Sequence, residues 1–156
     1  MGRRDRGQPY VRVRAHARDL ARHDAAGHVV QYRFNEHHLR GGPIQGGKRR
    51  GLVLGDSFTF GWLLEENETY LAELARRCDQ KFGSGEFEWL NGARGGWGTA
   101  DYVAFAEEYG EVLKPDVVLV FLNFDDINRS TQSQLYRLDP QSLAAVAQTQ
   151  PSSRLT

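Results

Sequence analysis

Gly51-Leu52-Val53-Leu54-Gly55-Asp56-Ser57-Phe58-Thr59-Phe60-Gly61 decides how this chain is read. Its first four residues are short, aliphatic and preceded by Lys48-Arg49-Arg50, which predicts a buried strand entering from the surface. Its second part is a serine between glycines at the strand exit, where α/β proteins place their chemistry. The chain has no histidine after His38. That matters as much as the serine, because a hydroxyl without a base is a poor nucleophile.

Downstream, Asn67 is a candidate N-cap with Glu68 in the first turn. Leu71, Leu74, Ala75, Cys78 and Phe82 follow at helical spacing, and Gly83 and Gly85 stop the helix. Phe87 to Leu90 read as a second strand ending at Asn91. A glycine-rich turn, Gly92 to Gly98, leads to Thr99 as cap of another helix. Tyr102, Phe105, Ala106, Tyr109, Val112 and Leu113 give that helix its buried face, and Lys114-Pro115 ends it. Val117-Val118-Leu119-Val120-Phe121-Leu122 is the most strongly strand-like run, and its unbroken apolar character predicts burial on both faces of a parallel sheet. Strand, helix, strand, helix, strand at this spacing is a doubly wound pattern. The fold class expected is α/β: a three-layer α/β/α, flavodoxin-like parallel sheet, incomplete toward the C-terminus.

Upstream, His28 to Phe34 alternate well enough for a strand, Asn35 to Arg40 turn, and Gly41-Gly42-Pro43 with Gly46-Gly47 mark a loop. Residues 1–26 read as a basic arm with some disorder, 27–130 as the α/β domain, and 131–156 as a weakly structured tail. Within that tail Ser142 to Val146 suggest a helical turn, and Gln148 to Thr156 read as frayed.

The totals narrow the function. A length of 156 residues suits one domain with a real core. Mean hydropathy is negative and no run approaches a membrane span, so no membrane partner is expected. No secretory signal is visible, so the expected location is cytoplasmic. Cys78, the single cysteine, excludes an internal disulfide and a cysteine-based metal site. Net charge is zero, yet residues 1–50 hold twelve Lys/Arg against four Asp/Glu, and the remainder eight against sixteen. The arginines are dispersed among few aromatics and fit no nucleic-acid module, so the arm reads as solvated beside an acidic body.

Three strand exits carry polar or glycine residues: Ser57; Asn91 with Gly96; Asn123 with Asp125 and Asp126. In a parallel sheet they lie along one edge, where the loops can converge on one crevice. A serine with amide donors is what acyl transfer needs: the hydroxyl attacks a carbonyl while N–H groups hold the oxyanion.

The blocks GDSFTFG at 55–61, NGARGGWG at 91–98 and VFLNFDDI at 120–127, in that order, resemble the SGNH or GDSL-type hydrolases. The upstream YRFNEHHLRGG at 32–42, followed by RRGLVLGDS at 49–57, is also similar to bacterial members of that superfamily. The resemblance covers roughly residues 28–130. It implies a serine esterase or acylhydrolase that uses no cofactor and no metal. It gives Ser57 as nucleophile, with the Ser57 and Gly96 N–H groups in the oxyanion hole. The family's third block ends in Asn-Asp, and the asparagine completes that hole. Aligning from Asp116 puts Asp125-Asp126 there, whereas Asn123 serves only with a shifted strand end. The third donor is thus Asn123 or Asp125. The family takes its base from a later Asp-x-x-His block, which this sequence lacks; all five histidines, His16, His23, His28, His37 and His38, precede the serine.

The expectation is a C-terminally truncated ester hydrolase, inactive as this chain. Its substrate would be a small ester or an acylated carbohydrate. The alternative is a non-catalytic remnant or binding module of the same fold. A phosphate-binding domain fits less well, since the P-loop lysine and dinucleotide glycine spacing are missing. Asp56 with Asp125-Asp126 could form a metal pair, but no further carboxylate cluster supports it. Trp97 reads as packing or as a pocket wall, and His37-His38 as a polar turn. An unfinished sheet edge leaves self-association open.

Overall fold

The computed structural model describes residues 21–25, 28–133, 135–142 and 145–147. The disorder expected before residue 21 and the fraying expected at 148–156 lie outside the described residues.

The centre of the molecule is β3 (Arg49–Leu54), in a three-stranded parallel sheet of order β4-β3-β5, with β4 at Phe87–Asn91 and β5 at Val117–Val120. Leu52 stands opposite Leu90 on one side and Val118 on the other. The two faces of β3 and β4 are covered by different helices. Leu52, Leu54 and Leu90 cluster with Tyr102, Phe105 and Leu113 of α3 (Thr99–Leu113). On the opposite face, the Phe87 ring meets Phe82 of α2 (Tyr70–Phe82), centroids 5.4 Å apart. The Trp89 ring lies over Gly51, which has no room for a Cβ. Helix, sheet and helix therefore form three layers, and the α/β expectation holds.

β1 (Ala21–Ala25) and β2 (His28–Tyr32) pair antiparallel, so part of the expected arm is strand. Val30 and Tyr32 pack with Phe60 and Ala93, which ties this hairpin to the serine segment. The expected caps shift by a residue or two. Thr69, not Asn67, caps α2 by accepting from the Ala72 N–H at 3.2 Å, because Glu66–Glu68 form a 3-10 turn first. Gly98 precedes α3, its N–H donating to Asp101 Oδ2 at 2.9 Å. The Asp101 carboxyl is raised above its ordinary value by burial.

Two expectations fail. Val117, Val118 and Val120 are 38–49 % exposed, because β5 lies at an edge of the sheet and has β3 as its one neighbour among the described residues. An apolar run reports side-chain type, not how many strands flank it. The tail also holds more structure than its composition implies. α4 (Asp126–Ser133) is followed by an antiparallel hairpin of β6 (Tyr136–Leu138) and β7 (Ala145–Ala147). Ala145 and Val146, expected in a helical turn, are strand. Leu135 is buried with Ala100 and Ala104 of α3, and the Tyr136 hydroxyl donates to Glu107 Oε2 at 2.8 Å.

Among the described residues, no helix is long and apolar enough to cross a membrane.

Candidate active site

β3 ends at Leu54 and the chain turns at once into α1 (Ser57–Phe60). The turn needs Gly55, since a Cβ there would run into the Thr59 side chain. Asp56 is 2 % exposed and caps α1, its Oδ1 accepting from the Phe58 N–H at 2.9 Å. Ser57 is the first residue of the helix, so its N–H lies ahead of the helix's own hydrogen bonds. It is partly exposed, and Phe58 beside it is 72 % exposed. Among the described residues, nothing hydrogen-bonds the Ser57 hydroxyl.

The far end of α1 is held as firmly as its start. Arg40 is buried, and its guanidinium donates to the carbonyls of Phe60 and Gly61 at 2.7 Å and of Leu64 at 2.6 Å. Burial lowers its pKa, and Tyr32 and Phe60 offer their ring faces at 4.7 and 5.1 Å. Asn91 adds a clamp: Nδ2 donates to the Thr59 and Phe60 carbonyls at 3.3 and 3.4 Å, and Oδ1 accepts from the Ala93 N–H at 3.2 Å. Asn91 is thus committed to the backbone of the serine segment.

The second strand exit runs beside the first. The Gly92 N–H donates to the Val53 carbonyl at 2.8 Å and the Arg94 N–H to the Gly55 carbonyl at 3.0 Å. A Cβ built on Gly95 would stand 3.7 Å from the Ser57 side chain. Gly96 follows with φ at +81°, a conformation that favours glycine, and its surroundings are open. Trp97 belongs to the core, its ring 5.6 Å from that of Phe105.

At the third exit the Phe121 N–H donates to the Leu54 carbonyl at 2.9 Å, which keeps the strands together past β5. Asn123 therefore arrives beside the Asp56 loop, and its Nδ2 donates to Asp56 Oδ2 at 3.1 Å. Its backbone N–H donates to Asp126 Oδ2 at 2.7 Å. Asp125 points away, its side chain 62 % exposed and 3.9 Å from the Arg129 guanidinium. Of the two residues read as third donor, Asn123 reaches the serine loop and Asp125 does not.

Arg129 is the residue the sequence did not mark. Its Nη1 donates to Asp56 Oδ2 at 3.0 Å, to Asp126 Oδ1 at 3.4 Å and to the Trp97 carbonyl at 3.4 Å. It touches all three strand exits at once. The Asp56 bond is the main reason its pKa is raised. The space between Asp56 and Asp126, weighed above as a metal pair, is occupied by this cation. Burial beside Asp126 pushes the Tyr102 phenol strongly up, keeping it neutral. The only sequence signal for Arg129 was its place three residues after Asp126 on a helix. His37 and His38 lie in the turn closed by the His38 N–H to the Asn35 carbonyl, and neither hydrogen-bonds the serine.

No family model matches the chain, and no curated protein matches it. Among solved structures it is similar to a mutant form of the esterase AlinE4, at 23 % identity and a TM-score of 0.46. The match covers 58 % of this chain and 50 % of that one, so the chain spans about half that esterase's length. The α/β assignment rests on the chain's own sheet and helices.

Proposed function

We propose that this domain carries the nucleophile and oxyanion half of an SGNH-type serine ester hydrolase, and that it turns over no ester by itself. The observation that carries the reading is the meeting of three strand exits at the Asp56-Ser57 turn, with a serine hydroxyl that nothing among the described residues hydrogen-bonds. The Gly95-Gly96 loop lies against Ser57, and the Asn123 amide is fixed on the neighbouring Asp56. In the reaction Ser57 Oγ bonds to the ester carbonyl carbon and gives its proton to a base. The Ser57 and Gly96 N–H groups and Asn123 Nδ2 hold the oxyanion. The alcohol then leaves protonated, and water releases the acid from the acyl-serine. The substrate class is a small ester or acylated carbohydrate.

The base must come from outside the described residues, and a positioned base contributes roughly 10²–10⁴-fold. This gives a two-part test with 4-nitrophenyl acetate. Without additive, wild type and Ser57→Ala are expected to show the same background rate. With imidazole added as a mobile base, wild type is expected to gain hydrolysis that Ser57→Ala lacks. Equal rates at every imidazole concentration would remove Ser57 as nucleophile. Serine-dependent turnover without imidazole would show that the chain holds its own base.

The bare hydroxyl also favours a second reading, a binding module that holds an acylated ligand without cleaving it. Saturable binding of an acetylated sugar, with no Ser57-dependent gain from imidazole, would select that reading.

A further inference from the structure

Asn91-Gly92 is the one Asn-Gly pair in the sequence; the other four asparagines precede Glu36, Glu68, Phe124 and Arg129. Asparagine is chemically labile, and glycine after it protects least, since no Cβ shields its amide nitrogen or restricts its backbone. In deamidation the Gly92 nitrogen loses its proton to solvent hydroxide and bonds to Asn91 Cγ. The bond from Cγ to the side-chain nitrogen breaks, and that nitrogen leaves as ammonia with a proton from water. Water then adds to either carbonyl of the succinimide ring and leaves aspartate or isoaspartate.

The folded chain blocks the first of these steps. Both residues are buried. The Gly92 proton is engaged in the sheet, on the Val53 carbonyl at 2.8 Å. The Asn91 side-chain amide is engaged at both ends. Its Nδ2 donates to the Thr59 and Phe60 carbonyls at 3.3 and 3.4 Å, and its Oδ1 accepts from the Ala93 N–H at 3.2 Å. Attack needs the Gly92 proton freed to solvent and the amide turned out of this clamp. The exit of β4 must therefore first part from β3 and α1.

We propose that Asn91 is a deamidation site gated by opening of the serine segment, spared while the β4 exit is closed and modified when it opens. The product does not rebuild the clamp. In aspartate an oxygen replaces Nδ2, so an acceptor faces the two α1 carbonyls. Its charge also lies where the side chain is only 5 % exposed. Arg40 donates to the same Phe60 carbonyl and to those of Gly61 and Leu64, and serving a carboxylate at 91 would draw it from the α1 end it holds. Isoaspartate adds a backbone atom at the last β4 residue, which moves Gly92 out of register with Val53. Each modified chain therefore opens more readily than an intact one. The inference uses only the scaffold under Ser57 and holds whether or not the serine turns over an ester.

Peptide mass mapping after incubation at mildly alkaline pH tests this. The samples are the full chain folded, the full chain in urea, and a synthetic peptide of residues 86–96 in both solvents. Peptide and unfolded chain are expected to gain the amide-to-acid mass at Asn91 at similar rates. The folded chain is expected to react at least about tenfold more slowly, since only its opened fraction reacts. Leu52→Ala loosens the strand pair beside Asn91 and should speed the folded-state reaction at least about fivefold. If that variant does not fold, wild type in low urea supplies the same comparison. Chains deamidated in urea and then refolded should show a lower urea midpoint than intact chains. A folded chain that reacts as fast as the peptide would overturn the proposal. So would a folded-state rate that neither Leu52→Ala nor low urea moves, or a modified chain with an unchanged midpoint.

Discussion

Asp56 and Asp126 are each no more than 2 % exposed, and both lie on the Arg129 guanidinium. Two carboxylates taken out of water need a cation or several donors to stay ionised. Asp56 has three donors, from Phe58, Asn123 and Arg129, while Asp126 has the Asn123 N–H and Arg129. Arg129→Met is therefore expected to cost about 3 kcal/mol, the low end for breaking a buried pair, because the other donors remain. Adding Asp56→Asn should return at least about 1 kcal/mol, since it removes one of the orphaned charges. Urea unfolding of the two single variants and the double variant measures this, and additive losses would show that the cation and carboxylate are not coupled. The strand-exit residues around this network were legible, because polar residues and glycines there stand out against apolar strands. Ser57, Gly96 and Asn123 were marked that way. Arg129 was not, because it sits on a helix in a stretch whose apolar period had faded. Nothing local says that an arginine there reaches across the crevice.

At the level of elements, the helices were easier to read than their ends. α2 shows its apolar stripe plainly, yet its cap moved from Asn67 to Thr69 because three glutamate-rich residues first form a tighter turn. The outer face of α2 carries a small ionic cluster. Glu73 accepts from Arg76 at 2.6 and 2.7 Å and from Arg77 at 2.7 Å. The hydrogen bonds from Arg76 and then Arg77 hold its carboxyl at about 2, below the ordinary glutamate range. A depressed carboxylate stabilises the folded state above its unfolded value, and that contribution is lost as pH falls through the folded one. α2 should therefore weaken as the solution is acidified from about pH 4.5 toward 2. The side-chain carboxyl carbon of Glu73 followed by NMR is expected to titrate near 2 at low salt, moving upward as salt screens the exposed pairs. A midpoint in the ordinary glutamate range at low salt would mean that the arginines are not engaged in solution.

Across the whole molecule, the doubly wound pattern was readable because strand and helix periods alternate with clear glycine and proline punctuation. What the pattern could not supply was strand order. A parallel strand in the middle of a sheet and one at its edge can have the same apolar composition, and here Val117 to Leu122 looked more buried than Gly51 to Leu54. The sheet order reverses this: Leu52 is fully buried between β4 and β5, whereas Val118 is 42 % exposed. The two positions therefore separate the readings by energy. Leu52→Ala removes a branched side chain from a closed core and is expected to cost about 2–5 kcal/mol. For a domain stabilised by roughly 5–15 kcal/mol that is a large fraction. Val118→Ala removes less area from water and leaves no closed cavity, so it should cost less than about 1 kcal/mol. Urea midpoints for both variants therefore locate β5. A loss at Val118 equal to that at Leu52 would place β5 inside the sheet and not at its edge.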